Sequence, residues 1–438
     1  MNIRNYAIIC FASVMSLFGS IDAKISGYAK ERIRSDLKAK KYHHLGIFLK
    51  NRIGSSGCDL SQVKAIARKT HSKSLLHAIE ATRQFKKTRS GLGLSTGAFL
   101  QTSLFIETDL RRYTAHKHYY LPKVKTGIAR TIEYDPCRKQ AFIVLNGTQS
   151  AFLGKGCKKT AYKAIAYSHT KPEVVARAEQ CGDMKRELKI TKRLRGARGV
   201  IDIKGFGKHH KNGKLRTTTY SKLYKSSDLA TALRKKVQFS LLEKAKIAVG
   251  ALRGLESMHR MGIVHRDICS KNFFLTIPKG KKGKRNVQAV LADFGWAKYR
   301  RCCAGRKAQA NARTTAPEGF SAHKLKNNDY LPLDVYATGL AFYQLFYGKK
   351  ASWTNGSCTD SSSSKHNRKK VTSKINSKTL SRRLRLAQLK SFGKVCPEKD
   401  FEYLILRMIH PNPKKRSTAT VLRRKMEHIL KRIEYAKK

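Results

Sequence analysis

Residues 262–275, "GIVHRDICSKNFFL", and residues 289–298, "AVLADFGWAK", decide the fold. Each joins an apolar strand to a polar loop. In the first, Asp267 and Asn272 stand five residues apart, with Lys271 between them, just ahead of the apolar run Phe273–Leu275. In the second, an apolar strand delivers Asp293, and Gly295 permits a sharp turn two residues later. Carboxylate and amide oxygens are the ligands a hard cation such as magnesium takes. A further carboxylate is what an attacking hydroxyl needs to be oriented and deprotonated. Asp267 suits that second role, Asn272 and Asp293 suit the first, and Lys271 suits neutralisation of charge on a moving phosphate. The helix before the first stretch is legible too. Leu241, Ala245, Ala248, Leu252 and Leu255 recur at helical spacing up to Met261, and Gly262 is a stop signal.

Further motifs follow in a fixed order. "TAPEG" supplies Ala316, Pro317 and Glu318; "LDVYATG" supplies Asp334 at the head of a helix expected over Leu333–Tyr347; "MIHPNPKKRSTA" supplies Arg416. The ordered set resembles the catalytic loop, metal-binding loop, activation-segment end, central helix and buried arginine of the protein-kinase family. The resemblance covers residues 146–435. It implies an α+β fold of two lobes, a small mainly β lobe over about 146–220 and a larger mainly helical lobe over about 225–435, with ATP and Mg2+ bound. It also implies that Asp334 braces the catalytic loop and that Arg416 pairs with Glu318 in the interior.

Upstream, "FLGKGCKKTAYKAIAY" resembles the family's glycine-rich loop, with Gly154 and Gly156 approaching the nucleotide phosphates. "MKRELKITKRL" resembles the helix whose glutamate, here Glu187, holds the nucleotide lysine, and "SKLYKSSDL" at 221–229 resembles the hinge. The strand expected to carry that lysine reads "VVAR", which places Arg177 there, and the swap is not conservative at a tight phosphate site. The third glycine of the loop is Lys159. This combination resembles the with-no-lysine kinases, in which the preceding strand supplies the lysine. The resemblance implies that Lys159 reaches the phosphates and Glu187 steadies it; an arginine-tolerant site and an inactive one stand as alternatives.

The resemblance implies a protein kinase acting on protein hydroxyls, Ser/Thr in preference to Tyr. Cys269 takes the place of the lysine usual two residues after the catalytic aspartate of Ser/Thr kinases, and Asn311 stands where an activating threonine is familiar. Thr314 and Thr315 are candidate phosphosites. The segment "YRRCCAGRKAQANAR" holds no acidic residue and favours acidic substrates or a phosphorylated residue. A pseudokinase scaffold and a small-molecule kinase are the competing readings.

The whole chain is 438 residues with 93 Lys plus Arg against 28 Asp plus Glu, a formal net charge of +65. Such a charge attracts nucleic acid, anionic membranes and acidic proteins without specificity. No RNA-binding or helix-turn-helix pattern accompanies it, so specific nucleic-acid binding is not expected. Residues 1–23 read as an export signal, Arg4 followed by an apolar run from Ala7 to Phe18 and small residues to Ala23, too short for a transmembrane helix. An exported kinase would meet ATP inside another cell. Ten cysteines at irregular spacing make neither a disulfide framework nor a zinc site. Residues 24–145 carry no assignable chemistry. Leu60–Phe85 has helical character, Gly127–Leu145 reads as a hairpin turning at Asp135-Pro136, and the histidines at 43, 44, 116 and 118 lack a second ligand pair. The basic stretches 278–285 and 361–370 read as surface insertions.

Overall fold

A computed structural model of the chain describes residues 27–53, 60–87, 92, 94–108, 118–121, 130–135, 139–145, 149–155, 159–168, 170–182, 184–211, 213–224, 228–277, 285–303, 314–320, 329–349 and 396–436. The export segment, Gly156, Asn311, most of the basic stretch at 278–285 and all of that at 361–370 lie outside the described residues. The chain forms two compact units, residues 1–183 with 204–223, and residues 184–203 with 224–438.

Among the described residues the first unit holds five helices ahead of its strands: α1 (Gly27–Lys38), α2 (Tyr42–Arg52), α3 (Leu60–Lys69), α4 (Lys73–Lys87) and α5 (Thr96–Thr108). Ile33, Leu45, Leu49, Val63, Leu75, Ile79 and Leu104 meet in a core of their own. The strands follow: β1 (His118–Leu121), β2 (Arg130–Asp135), β3 (Gln140–Leu145), β4 (Phe152–Lys155), β5 (Lys159–Ala166), β6 (Glu173–Cys181), β7 (Ile203–Lys211) and β8 (Lys214–Lys222). They make one sheet in the order β1-β2-β3-β5-β6-β8-β7, with β4 pairing the other half of β5. The expected hairpin is β2–β3, in register from Arg130 opposite Leu145 to Asp135 opposite Gln140.

Residues 118–145 therefore belong to the sheet of this unit. The boundary expected between 145 and 146 does not separate two folding units, because β3 pairs directly with β5, Phe142 opposite Ala166 and Val144 opposite Ala164. Alternation gives the sheet two packed faces. Ile132, Ala141, Ile143, Ile165 and Val174 pack on Phe85 and Phe99 of the helices. Phe142, Val144, Ala164, Ala166, Val175 and Tyr220 pack together on the other side. On that side the sheet curls until β7 returns to β2, where the Phe206 N–H donates to Asp135 Oδ2 at 3.2 Å. A Cβ on Gly205 would lie 2.5 Å from the Phe142 ring, so the closure depends on glycine there.

The second unit holds α6 (Lys185–Leu194), α7 (Leu229–Arg234), α8 (Leu241–Arg260), α9 (Tyr330–Tyr347), α10 (Pro397–Met408) and α11 (Ala419–Tyr435). Its strand pairs are β9 (Ile263–Val264) with β12 (Lys298–Tyr299), and β10 (Phe273–Thr276) with β11 (Gln288–Leu291). Helix α8 begins on a capping box. Ser240 Oγ accepts from the Glu243 N–H, and the Glu243 carboxylate accepts from the Ser240 N–H. It ends at Met261, followed by Gly262 at φ 68°. Helix α9 begins three residues before the expected Leu333, since Pro332 is tolerated in a first turn. It stops at Gly348 in the left-handed conformation, φ 69°. Ala248, Leu252, Leu255, Phe342, Phe401, Leu422 and Met426 join these helices in one core. Among the described residues, no helix is long and apolar enough to cross a membrane.

Candidate active site

In the second unit the catalytic loop is held from behind by one carboxylate. Asp334, on α9 and 2% exposed, accepts the backbone N–H of His265 at 2.7 Å and of Arg266 at 2.9 Å, with His259 Nε2 at 3.1 Å. Burial alone would raise its pKa, but these donors and the neighbouring histidines reverse the effect and hold it below the usual value. The His265 ring is oriented in turn. The Asp267 N–H donates to His265 Nδ1, which leaves Nε2–H to donate to the Ala292 carbonyl at 3.0 Å. Asn272 Nδ2 donates to the Asp267 carbonyl at 2.8 Å, and the Ala292 N–H donates to the Asn272 carbonyl at 2.9 Å. The loop carrying Asp267 and Asn272 is thus tied to the residue preceding Asp293.

Asp267 is half-buried. Burial raises its pKa, His265 opposes the rise, and the nearby Asp293 carboxylate adds to it. Two carboxylates close enough to repel, with the buried Asn272 amide between the elements that carry them, form an all-oxygen donor set that fits a divalent cation. Asp293 is exposed and sits at φ 63°, an unusual backbone conformation for a residue with a side chain. Lys271 is exposed, on the short 3-10 turn Ser270–Asn272.

Two buried arginines frame this loop differently. Arg416 is bidentate on Glu318, Nη1 to Oε1 at 2.5 Å and Nη2 to Oε2 at 3.0 Å, and also donates to the carbonyls of Pro332, His410 and Pro411. Arg266, 6% exposed, has no hydrogen-bond partner on Nε, Nη1 or Nη2 among the described residues. Its guanidinium lies 5.8 Å from the centre of the Tyr330 ring. Burial lowers its pKa; Cys303, Tyr330 and Asp334 oppose that, and Arg186 adds to it.

In the first unit, Gly154 sits at φ 154° beside an irregularity in the β4–β5 register. Directly paired residues of neighbouring strands share a face, and successive residues alternate. The register pairs Tyr162 with Arg177 and Arg177 with Tyr220; one step along, it pairs Ala161 with Ala178 and Ala178 with Thr219. Lys159, paired with Gln180, therefore shares a face with Ala161 and Ala178, and Arg177 points to the opposite one.

The expectation that Arg177 takes the place of a nucleotide-binding lysine is corrected by this register. Its side chain, 5% exposed, is enclosed in the curled face of the sheet. Nε and Nη2 donate to Glu133 Oε1 at 3.1 and 2.6 Å, and Nη1 donates to Glu179 Oε2 at 2.7 Å. Glu133 Oε2 accepts the Tyr220 hydroxyl. Burial alone would weaken the guanidinium's charge; Glu133, Tyr220 and Glu179 reverse that and raise its pKa. The residue at this level on the Lys159 face is Ala178. Sequence reading missed Glu133 and Tyr220 as partners. The signal was available in the alternation of "EVVARAE", which puts Arg177 in step with the buried Val175. Glu187 belongs to the second unit, where it opens α6 and is buried.

Comparison with known proteins comes to the same place as this geometry. A protein kinase domain model matches residues 148–428. An LRR receptor-like serine/threonine-protein kinase, SIK1, of Oryza sativa subsp. japonica is 28% identical over 214 residues, 47% of this chain and 21% of that protein. Calcium-dependent protein kinase 19 of Arabidopsis thaliana is 25% identical over 174 residues, 39% and 29% of the two chains. A dual serine/threonine and tyrosine protein kinase of Apis mellifera is 28% identical over 143 residues, 30% and 13%. The chain thus spans under a third of the length of each of these relatives.

Proposed function

The chain belongs to the protein kinase family, and on that premise we propose that it transfers the terminal phosphate of ATP to a protein hydroxyl, Ser or Thr in preference to Tyr. The observation that carries the proposal is the bonded frame Asp334–His265–Ala292–Asn272, which sets Asp267 and Asp293 beside each other. Asp267 orients the attacking hydroxyl and accepts its proton. Lys271 offsets charge developing on the transferred group. Asn272 and Asp293 would hold Mg2+, which when bound supplies neutralisation of the nucleotide phosphates. Gly154, Gly156 and Lys159 bind those phosphates. Arg177 has no part in it, because its charge is already met by two carboxylates. Arg266 takes its counter-charge from a phosphorylated activation-segment residue; of the two candidates Thr315 is buried and Thr314 is half-buried, which favours Thr314. The excess of basic residues favours acidic protein substrates.

Transfer from labelled ATP with magnesium tests the reading. Asp267→Asn should lower kcat by about two to four orders of magnitude, and Lys159→Met should weaken ATP binding, each with the fold retained. An unaltered chain that binds Mg·ATP yet transfers nothing, to itself or to broad protein substrates, would make it a pseudokinase scaffold instead.

A further inference from the structure

The family match begins at residue 148, yet the strand beside Lys159 is secured by a residue that precedes it. Strand β6 lies between β5 and β8 and pairs with both along its length. Its one buried basic side chain is Arg177. Both oxygens of Glu133, 4% exposed on its side chain, are engaged, one by the Arg177 guanidinium and the other by the Tyr220 hydroxyl on β8. Glu133 reaches them from β2, a strand of the hairpin that the family match leaves out. A Cβ on Gly207 would stand 3.1 Å from Glu133 Oε2, so the returning strand β7 closes over the same group.

We infer that Glu133 is a positioning residue for the phosphate-binding lysine: it neutralises Arg177 inside the curled sheet and so holds β6 in the register that sets Lys159 opposite Gln180. The hairpin Arg130–Leu145 is then a working part of the nucleotide-binding unit, and residues before 146 have a role. The inference rests on the reading of Lys159 as the phosphate-binding amine. Its physical basis is that taking a carboxylate from a buried guanidinium is strongly destabilising, because part of its charge is left uncompensated in the interior. With Glu133 gone, Arg177 keeps Glu179 alone, and a side chain drawn toward that one partner strains the pairing of β6 with β5.

The test uses the full chain and three measurements: the Kd for Mg·ATP by calorimetry, kcat at saturating ATP, and the thermal midpoint without nucleotide. Glu133→Gln is expected to weaken ATP binding about tenfold while kcat at saturation stays within about threefold, a split that general loss of structure does not give. It should also lower the thermal midpoint. The apolar replacement Glu133→Leu/Arg177→Met/Tyr220→Phe removes three members of the cluster together, as buried ionic clusters tolerate, and leaves Glu179, 13% exposed on its side chain, to Arg216. It is expected to restore both the midpoint and the Kd. A triple variant with its midpoint restored and ATP binding still lost would show that Arg177 or Glu133 meets the nucleotide directly, and would overturn the inference. Unchanged ATP affinity in Glu133→Gln would overturn it as well. Failure of the unaltered chain to bind Mg·ATP is a different result, and it removes the reading of Lys159 on which the inference stands.

Discussion

Arg177 in the first unit and Arg266 in the second are almost equally buried, 4% and 6% exposed, and opposite in every other respect. Arg177 faces two carboxylates and fills a closed face of a sheet. Arg266 lies in the loop that carries Asp267, at φ 69°, with none of its guanidinium nitrogens bonded among the described residues. Asp334, the carboxylate that acts on its charge, spends its oxygens on backbone N–H groups and on His259. An unpaired buried cation costs several kcal/mol relative to a paired one. On the proposed function, the loop holds one for a phosphate group that arrives later. Paired burial thus marks architecture, and unpaired burial marks a place where function completes the structure.

The strongest way to sharpen this contrast is to turn a paired arginine into an unpaired one. Glu318→Ala leaves Arg416, whose side chain is fully buried, with backbone carbonyls alone. The expected loss is about 3–5 kcal/mol of stability, read from urea unfolding of the full chain. A loss under about 1 kcal/mol would mean that carbonyls suffice to compensate a buried guanidinium, and the argument from Arg266 would weaken accordingly.

The complementary variant removes the unpaired charge. Arg266→Met should stabilise the unphosphorylated protein by about 1–3 kcal/mol, since it replaces an uncompensated buried cation with an apolar group of similar length. The thermal midpoint should rise, and any gain in transfer rate that follows activation-segment phosphorylation should disappear. A lowered midpoint would break the comparison, because it would show that Arg266 already has a counter-charge in the resting protein.

The second unit was the legible one. Asp267, Asn272, Asp293, Asp334, Glu318 and Arg416 sit in short motifs whose spacing fixes loop and strand together; Asp334 braces the loop and Arg416 pairs with Glu318 as the resemblance implied. The first unit was read one residue out of step. In a strand the side-chain period is two, so a shift of one residue, from Ala178 to Arg177, moves a side chain from the face that Lys159 shares to the opposite one. No motif spacing corrects such a shift; only the pairing of Ala161 with Ala178 and of Arg177 with Tyr220 does. Glu133 was invisible for another reason. Its partner lies 44 residues away, and nothing local in "ARTIEYD" tells a buried glutamate from a surface one.

The smallest expected effect compares two aspartates inside the legible unit. Burial acts on both, and their neighbours differ. Asp334 receives donors and is held below the ordinary aspartate value, while Asp267 faces Asp293 and is held above it. Carboxyl-carbon NMR titration should place the two midpoints on opposite sides of about 3.9. The consequences for stability have opposite signs. For Asp334, whose folded pKa is depressed, the contribution is present above the unfolded value and is lost as pH falls through the folded one. For Asp267, whose folded pKa is raised, protonation favours the folded state, so raising the pH through its two values removes stability. The catalytic loop therefore gains nothing in stability from the charge its chemistry requires. Midpoints found in the reverse order would mean that burial, the larger cause, and the Asp293 carboxylate together do not outweigh His265 at Asp267, and the contrast between the two aspartates would fail.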